Sequence, residues 1–424
     1  MSVSDIRTTV EAVWRIESPR LIAGLARMAR GDVGLAEELA QDALVAALEQ
    51  WPDGGVPHNP GAWLMTTAKR RAIDQFRRNE RYAQKLGEIG REQERDELTL
   101  PDFDAGLEDH IEDDLLRLVF VACHPVLNTQ ARVALTLRML GGLTTDEIAR
   151  AFLVKESAIA QRIVRAKKAL AAAKVPFEVP EGDERIARLS SVLEVIYLVF
   201  NEGYSATRGD DWMRPALCEE AMRLGRVLVG LVPKESEVHG LVALMELQAS
   251  RTASRTARDG TPILLLDQDR GRWDRILIQR GLLALSLSET IADGAYGPYS
   301  AQAAIAACHA RANVPEETDW ARIAALYEGL AKLRPSPVIE LNRGVAVGMA
   351  FGPAAGLEVV DAVAADPALK DYHLLPSVRG DLLEKLGRRE EARAEFERAA
   401  GMTENARERA LLLDRAKAQS VTPR

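Results

Sequence analysis

The stretch "GLTTDEIARAFLVKESAIAQRIVRAKKAL", residues 142–170, carries two helical patterns separated by a very short break. Thr144 or Thr145 is placed to cap the first, and Asp146 and Glu147 put acids in its first turn. Ile148, Ala149 and Phe152 fall on one face of that short helix. A tight turn is expected around residues 154–156. Ser157 is expected to cap the second helix, with Ile159, Ile163, Ala166 and Leu170 as its buried stripe. Just upstream, "QARVALTLRML" (130–140) is an amphipathic helix that stops at Gly141-Gly142. A short helix, a tight turn and a longer polar-faced helix make a helix-turn-helix, whose second helix enters the major groove by its N-terminal part. Gln161 and Arg162 then reach base edges, Arg165, Lys167 and Lys168 suit phosphates, and Ser157 stands beside them at the helix start. A helical hairpin with a solvated basic face is the plainer alternative.

That basic face is unusual in its context. The 424-residue chain has 55 Lys+Arg against 63 Asp+Glu and a formal net charge of -8. Its length suggests about three domains, and a composition of 47% hydrophobic but only 5% aromatic residues favours helix. Cys123, Cys218 and Cys308 are far apart, which argues against a disulfide framework or a cysteine zinc site and for a reduced, cytoplasmic setting. The N-terminus lacks the pattern of a signal peptide, and the apolar run "VLEVIYLVF" (192–200) is too short to span a membrane.

Two further helices precede the basic one. "LAEELAQDALVAALEQW" (35–51) places Leu35, Leu39, Leu44, Leu48 and Trp51 at helical spacing, with Glu37, Glu38, Gln41 and Asp42 on a polar face. "PDGGVPHNPG" (52–61) breaks the pattern with three prolines and three glycines. "AWLMTTAKRRAIDQFRRNER" (62–81) resumes it, with Met65, Ala68, Ala72, Ile73 and Phe76 inward and Lys69, Arg70, Arg77, Arg78 and Arg81 elsewhere. Trp63 is expected in the core. Residues 82–116 then hold three cations against twelve acids, the composition of a solvated linker.

In this order, "AEELAQDALVAALEQW", "AWLMTTAKRRAIDQFRR" and the helix-turn-helix resemble a bacterial RNA polymerase sigma factor of the extracytoplasmic-function type. The resemblance covers residues 7–82 and 113–172. It implies an all-α fold: sigma region 2 over residues 1–82, an acidic linker over 83–112 and region 4 over 113–176. It also implies roles. Glu37, Glu38, Gln41 and Asp42 would dock on core RNA polymerase, at the coiled coil of its largest subunit, with the flap as a second contact. Lys69, Arg70, Arg77 and Arg78 would hold melted promoter DNA, offsetting the unstacking of bases. His58 and Asn59, in the loop, are candidates for capturing a flipped base. Arg70 stands where the family often has Asn, which bears on base preference. An acidic body then suppresses wandering along DNA and leaves two local basic patches to act.

The chain continues well beyond region 4. Gly380, Leu383, Ala392, Phe396 and Ala399 fall at tetratricopeptide spacing, and Gly344, Val347, Gly356, Val360 and Val363 occupy the same offsets 36 residues earlier. Tetratricopeptide-like repeats are therefore expected over residues 301–424, with a protein or peptide partner. An irregular helical extension is expected over 177–300, containing "FNEGYSATRGDDW", "DGTPILLLDQDRGRWDR" and "DGAYGPYSAQAAI". The calcium-loop reading of "DQDRGRWDRILI" fails, because Arg272 stands where Gly is needed and Ile278 where Glu is needed. No nucleophile-base set or phosphate loop points to an enzyme, and no cofactor or metal is implied. The expected function is that of an alternative sigma factor controlled or assisted by a fused helical tail. A repeat scaffold and a ligand-sensing regulator are the alternatives.

Overall fold

A computed structural model describes residues 3–87, 111–152, 154–205, 213–257, 261–403 and 405–420. Among these the chain forms eighteen α-helices, and Thr256 and Pro262 form an isolated antiparallel β-bridge. It divides into two compact units, Met1–Val195 and Ile196–Arg424. The candidate linker at 83–112 lies largely outside the described residues.

The first unit contains α1 (Val3–Met28), α2 (Val33–Gly54), α3 (Pro60–Gly87), α4 (Ile111–Ala122), α5 (Thr129–Met139), α6 (Thr145–Ala151) and α7 (Glu156–Ala172). Asp32 caps α2, its Oδ1 accepting the Leu35 N–H at 3.0 Å. The buried stripe of α2 is mostly alanine: Ala36, Leu39, Ala40, Ala43, Ala46, Ala47 and Trp51. Small residues let α1 and α3 approach closely, and this corrects the expected leucine stripe, since Leu48 is exposed. Ala68 and Ala72 of α3 face the same core together with Leu64, and Trp63 packs edge-on against Trp51 at 5.4 Å. The connecting loop is shorter than the Pro/Gly cluster that marks it. α2 runs on to Gly54, and Asn59 caps α3 through the Ala62 N–H at 3.1 Å.

α8 (Gly182–Tyr204) crosses the division between the units. Its first half belongs to the N-terminal unit: Arg188 donates to the Phe120 carbonyl at 3.1 Å, and Ser191 to the Cys123 carbonyl at 2.7 Å. Arg132 of α5 pairs with Glu194 at 3.1 Å. These contacts move the compact-unit boundary past the sequence-read boundary at 176/177.

The second unit continues with α9 (Pro215–Leu231), α10 (Ser236–Ala249), α11 (Arg275–Ile291), α12 (Pro298–Arg311) and α13 (Trp320–Leu333). α10 is buried almost all round, as a central helix must be, and its one buried carboxylate, Glu246, is met at 3.0 Å by both Arg226 and Arg280. Helix pairs follow: α14 (Pro337–Phe351) with α15 (Pro353–Val363), α16 (Leu374–Lys385) with α17 (Arg389–Met402), and then α18 (Ala406–Gln419). The 36-residue offset has a physical basis. A Cβ on Gly344 would lie 2.5 Å from Val360, and one on Gly380 2.7 Å from the Phe396 ring, so in both pairs a glycine lets the two helices touch. Val360 and Phe396 are fully buried in one continuous core with Leu341, Leu382 and Leu383.

The unusual words of the extension are largely structural. Glu237 accepts from the Tyr299 and Ser300 backbone N–H groups, at 2.7 and 3.1 Å, and so caps α12 at "GPYS". Asp269 and Asp274 cap the 3-10 turn Arg270–Arg272 and α11. Glu202 is paired with Arg214.

Candidate nucleic-acid interface

α6 and α7 form the helix-turn-helix. Thr144 caps α6 in a reciprocal capping box with Glu147: Thr144 Oγ1 accepts the Glu147 N–H at 3.1 Å, and Glu147 Oε2 accepts the Thr144 N–H at 2.8 Å. Ile148 and Ala149 are buried, while Phe152 is only half-buried. α7 starts earlier than its Ser suggests. The cap position is Lys155, which makes no side-chain cap, and Ser157 sits exposed inside the first turn. Thr145 Oγ1 instead donates to Glu156 at 3.0 Å, tying the two helix starts together. The buried stripe is Ile159, Ile163, Ala166 and Leu170. Ser157, Gln161, Arg165 and Lys168 are exposed and Arg162 half-buried, so these polar groups stand clear of the core.

Lys167 does not project outward. It pairs with Glu37 of α2, which also accepts from Arg138 Nε of α5 at 2.7 Å and from Gln41 at 2.7 Å. Arg138 continues to the Leu143 carbonyl, at 3.0 Å, in the turn before α6. Glu37 is 3% exposed. Burial alone would push its carboxyl up, but Lys167 and Arg138 outweigh burial and hold it below the ordinary range. Glu37 and Lys167, expected to face polymerase and DNA respectively, thus meet each other. A helix stripe reveals which residues avoid its own core, but not that two solvent-facing stripes will meet.

A second seam runs beside the first. Arg15 of α1 reaches Glu147 at 2.6 Å, and a Cβ on Gly142 (φ +66°) would lie 3.0 Å from Ser18 Oγ. Arg27 pairs with the buried Asp114 of α4 at 3.2 Å. The rest of the α2 polar face is open: Glu38 and Asp42 are exposed, Asp42 standing 3.7 Å from Arg71. On α3, Arg70, Arg77 and Arg78 are exposed and Lys69 is half-buried. Arg15, Arg71 and Arg138 are the residues the sequence reading missed. Arg138 had a signal: it is a cation in the last turn of a largely apolar helix.

Residues 16–82 match the family description "Sigma-70 region 2", and residues 117–170 match "Sigma-70, region 4". Residues 188–289 match "Family of unknown function (DUF6596)". A Rhizobium meliloti (strain 1021) protein named "Uncharacterized protein R00370" is 43% identical over 412 residues, 95% of each chain. The chain belongs to the extracytoplasmic-function sigma factors of the sigma-70 family. This sigma factor carries a helical C-terminal extension, binds core RNA polymerase and promoter DNA, and directs promoter-specific transcription initiation. Regions 2 and 4 correspond to α1–α3 and α4–α7, so the Glu37 cluster joins the sigma factor's two DNA-handling regions within one compact unit. Among the described residues, no helix of the sigma factor is long and apolar enough to cross a membrane.

Proposed function

We propose that α7 reads the distal promoter element while α3 holds the melted proximal one, with core polymerase setting the distance between them. The supporting observation is the exposure of Ser157, Gln161, Arg165 and Lys168 on α7, opposite its buried stripe. Ser157, Gln161 and the half-buried Arg162 then meet base edges, and Arg165 and Lys168 meet phosphates. Arg70, Arg77 and Arg78, with Lys69, track the single strand. Glu38 and Asp42 dock on the largest-subunit coiled coil, and region 4 on the flap. Glu37, Gln41 and Lys167 join these contacts only when α7 leaves α2, because the closed arrangement engages them with one another. The fused C-terminal unit controls or assists these steps through a partner of its helix pairs. Transcription with purified core polymerase tests the assignment. Arg165→Ala with Lys168→Ala should abolish promoter-specific transcripts while polymerase binding persists, and wild-type output from that variant would refute it.

A further inference from the structure

The C-terminal unit gathers three guanidiniums around two aromatic rings. Arg251 follows the end of α10, Arg255 lies one turn later, and Arg270 and Trp273 come from the segment before α11. The guanidinium carbons of Arg251 and Arg270 lie 5.8 and 5.1 Å from the centre of the Trp273 ring. Arg255 stacks on Tyr204 at 3.5 Å, and Arg251 donates to the Tyr204 hydroxyl at 2.5 Å and to Gln248. Arg270 donates to the His309 and Ala312 carbonyls at 3.0 and 2.9 Å and to the Thr318 hydroxyl at 2.9 Å.

Among the described residues, the hydrogen-bond partners of Arg251 and Arg270 are therefore all neutral oxygens. Glu316 and Glu317, both exposed, act on Arg270 only from the surface. Arg270 is nevertheless 4% exposed, and a guanidinium taken out of water with no carboxylate hydrogen-bonded to it is disfavoured. Two donors are left over as well. Trp273 Nε1 and Arg270 Nε are buried with no partner, as is His309 Nδ1, a donor or an acceptor according to tautomer, and Trp273 is only 3% exposed. Burial, with Arg251 and Arg270 nearby, pushes His309 down to about 3, so the cluster gains no acceptable extra proton. Tyr204, Arg251 and His309 are half-buried, so the cluster reaches solvent through them, with Arg270 and Trp273 beneath. Arg251, Arg270 and Trp273 lie together here, and among the described residues no carboxylate accepts a hydrogen bond from Arg251 or Arg270.

We propose that Arg251, Arg270, Tyr204, Trp273 and His309 form a binding site for a small oxyanion, a carboxylate or a phosphate. Planar guanidiniums suit both, and Trp273, within 6 Å of two of them, makes occupancy visible to fluorescence. The role of Arg270 in tying the end of α12 is structural in any case, which makes Arg251 the discriminating residue.

The test uses the full-length chain, with thermal unfolding and tryptophan fluorescence in sodium phosphate, succinate or benzoate against sodium chloride at equal ionic strength. At least one oxyanion should raise the C-terminal unfolding midpoint by about 5 °C when saturating. Arg251→Gln should abolish that rise yet leave the midpoint in chloride unchanged or higher, because it removes an uncompensated charge. Arg251→Lys, which keeps charge but not the planar fork, should show a weakened rise. Three results would each overturn the site: no response to any of the three anions, a response that survives both substitutions, or an Arg251→Gln midpoint lowered equally with and without anion. Phosphate acting alone would assign the ligand class as phosphate, and succinate or benzoate alone as carboxylate.

Discussion

Glu37 is a carboxylate shared by two cations from different helices, and its chemistry gives it a pH signature. Its pKa is depressed on folding, so the stabilisation it contributes is complete above the ordinary value of 4.5 and is lost as the pH falls through the folded value. Glu37→Gln should lower the stability of the N-terminal unit by about 2 kcal/mol at neutral pH and flatten its acid limb, as measured by urea unfolding between pH 3 and pH 7. His309 behaves in the same sense for a different reason. It is kept neutral in the fold down to about pH 3 but protonates near 6.5 when unfolded, so the C-terminal unit loses stability as the pH falls between those values. His309→Gln should remove that dependence, whose slope is at most about 1.4 kcal/mol per pH unit. Neither behaviour was legible from residue type. Glu37 stood in an ordinary acidic helix face, and only the arrival of Arg138 and Lys167 from more than a hundred residues away changes what it does.

At the scale of elements, short-range patterns transferred well where one face of a helix alone sets burial. The α7 stripe of Ile159, Ile163, Ala166 and Leu170 follows directly from 3.6-residue periodicity. The α2 stripe did not, because alanine signals little by hydrophobicity and Leu48 looked the better core residue. Ser157 misled in another way: Ser is a common cap, but the turn closes two residues earlier and the Thr145–Glu156 bond fixes the helix start. The exposed part of α7 makes a quantitative prediction for DNA binding. Arg165→Ala with Lys168→Ala should reduce the slope of log affinity against log salt by about 2, whereas a base-contacting change at Gln161 should leave the slope unchanged. The paired helices further on make another. Gly380→Ala places a methyl against Phe396 and should lower the urea midpoint of the C-terminal unit, a loss of about 1–3 kcal/mol.

The molecule as a whole has two compact units, each with its own buried core. Calorimetry of the full chain should therefore resolve two transitions. Glu37→Gln should move one, and Gly380→Ala the other. The order of the domains was visible in the sequence because basic helices, acidic stretch and glycine-marked repeats differ in composition. The point of division was not, because Arg188 and Ser191 look like surface residues of a new domain until they are seen donating to carbonyls at the end of α4.

Removing any one member of the Glu37, Arg138 and Lys167 trio strands a charge, yet removing all three strands none, leaving only Gln41 and the Leu143 carbonyl to find other partners. Glu37→Leu, Arg138→Met and Lys167→Leu together would swap an ionic latch for an oily one, at little loss of stability. Such a sigma factor could no longer be coaxed open by charges on polymerase or promoter. Its transcriptional output would report directly whether the two regions must part company for initiation.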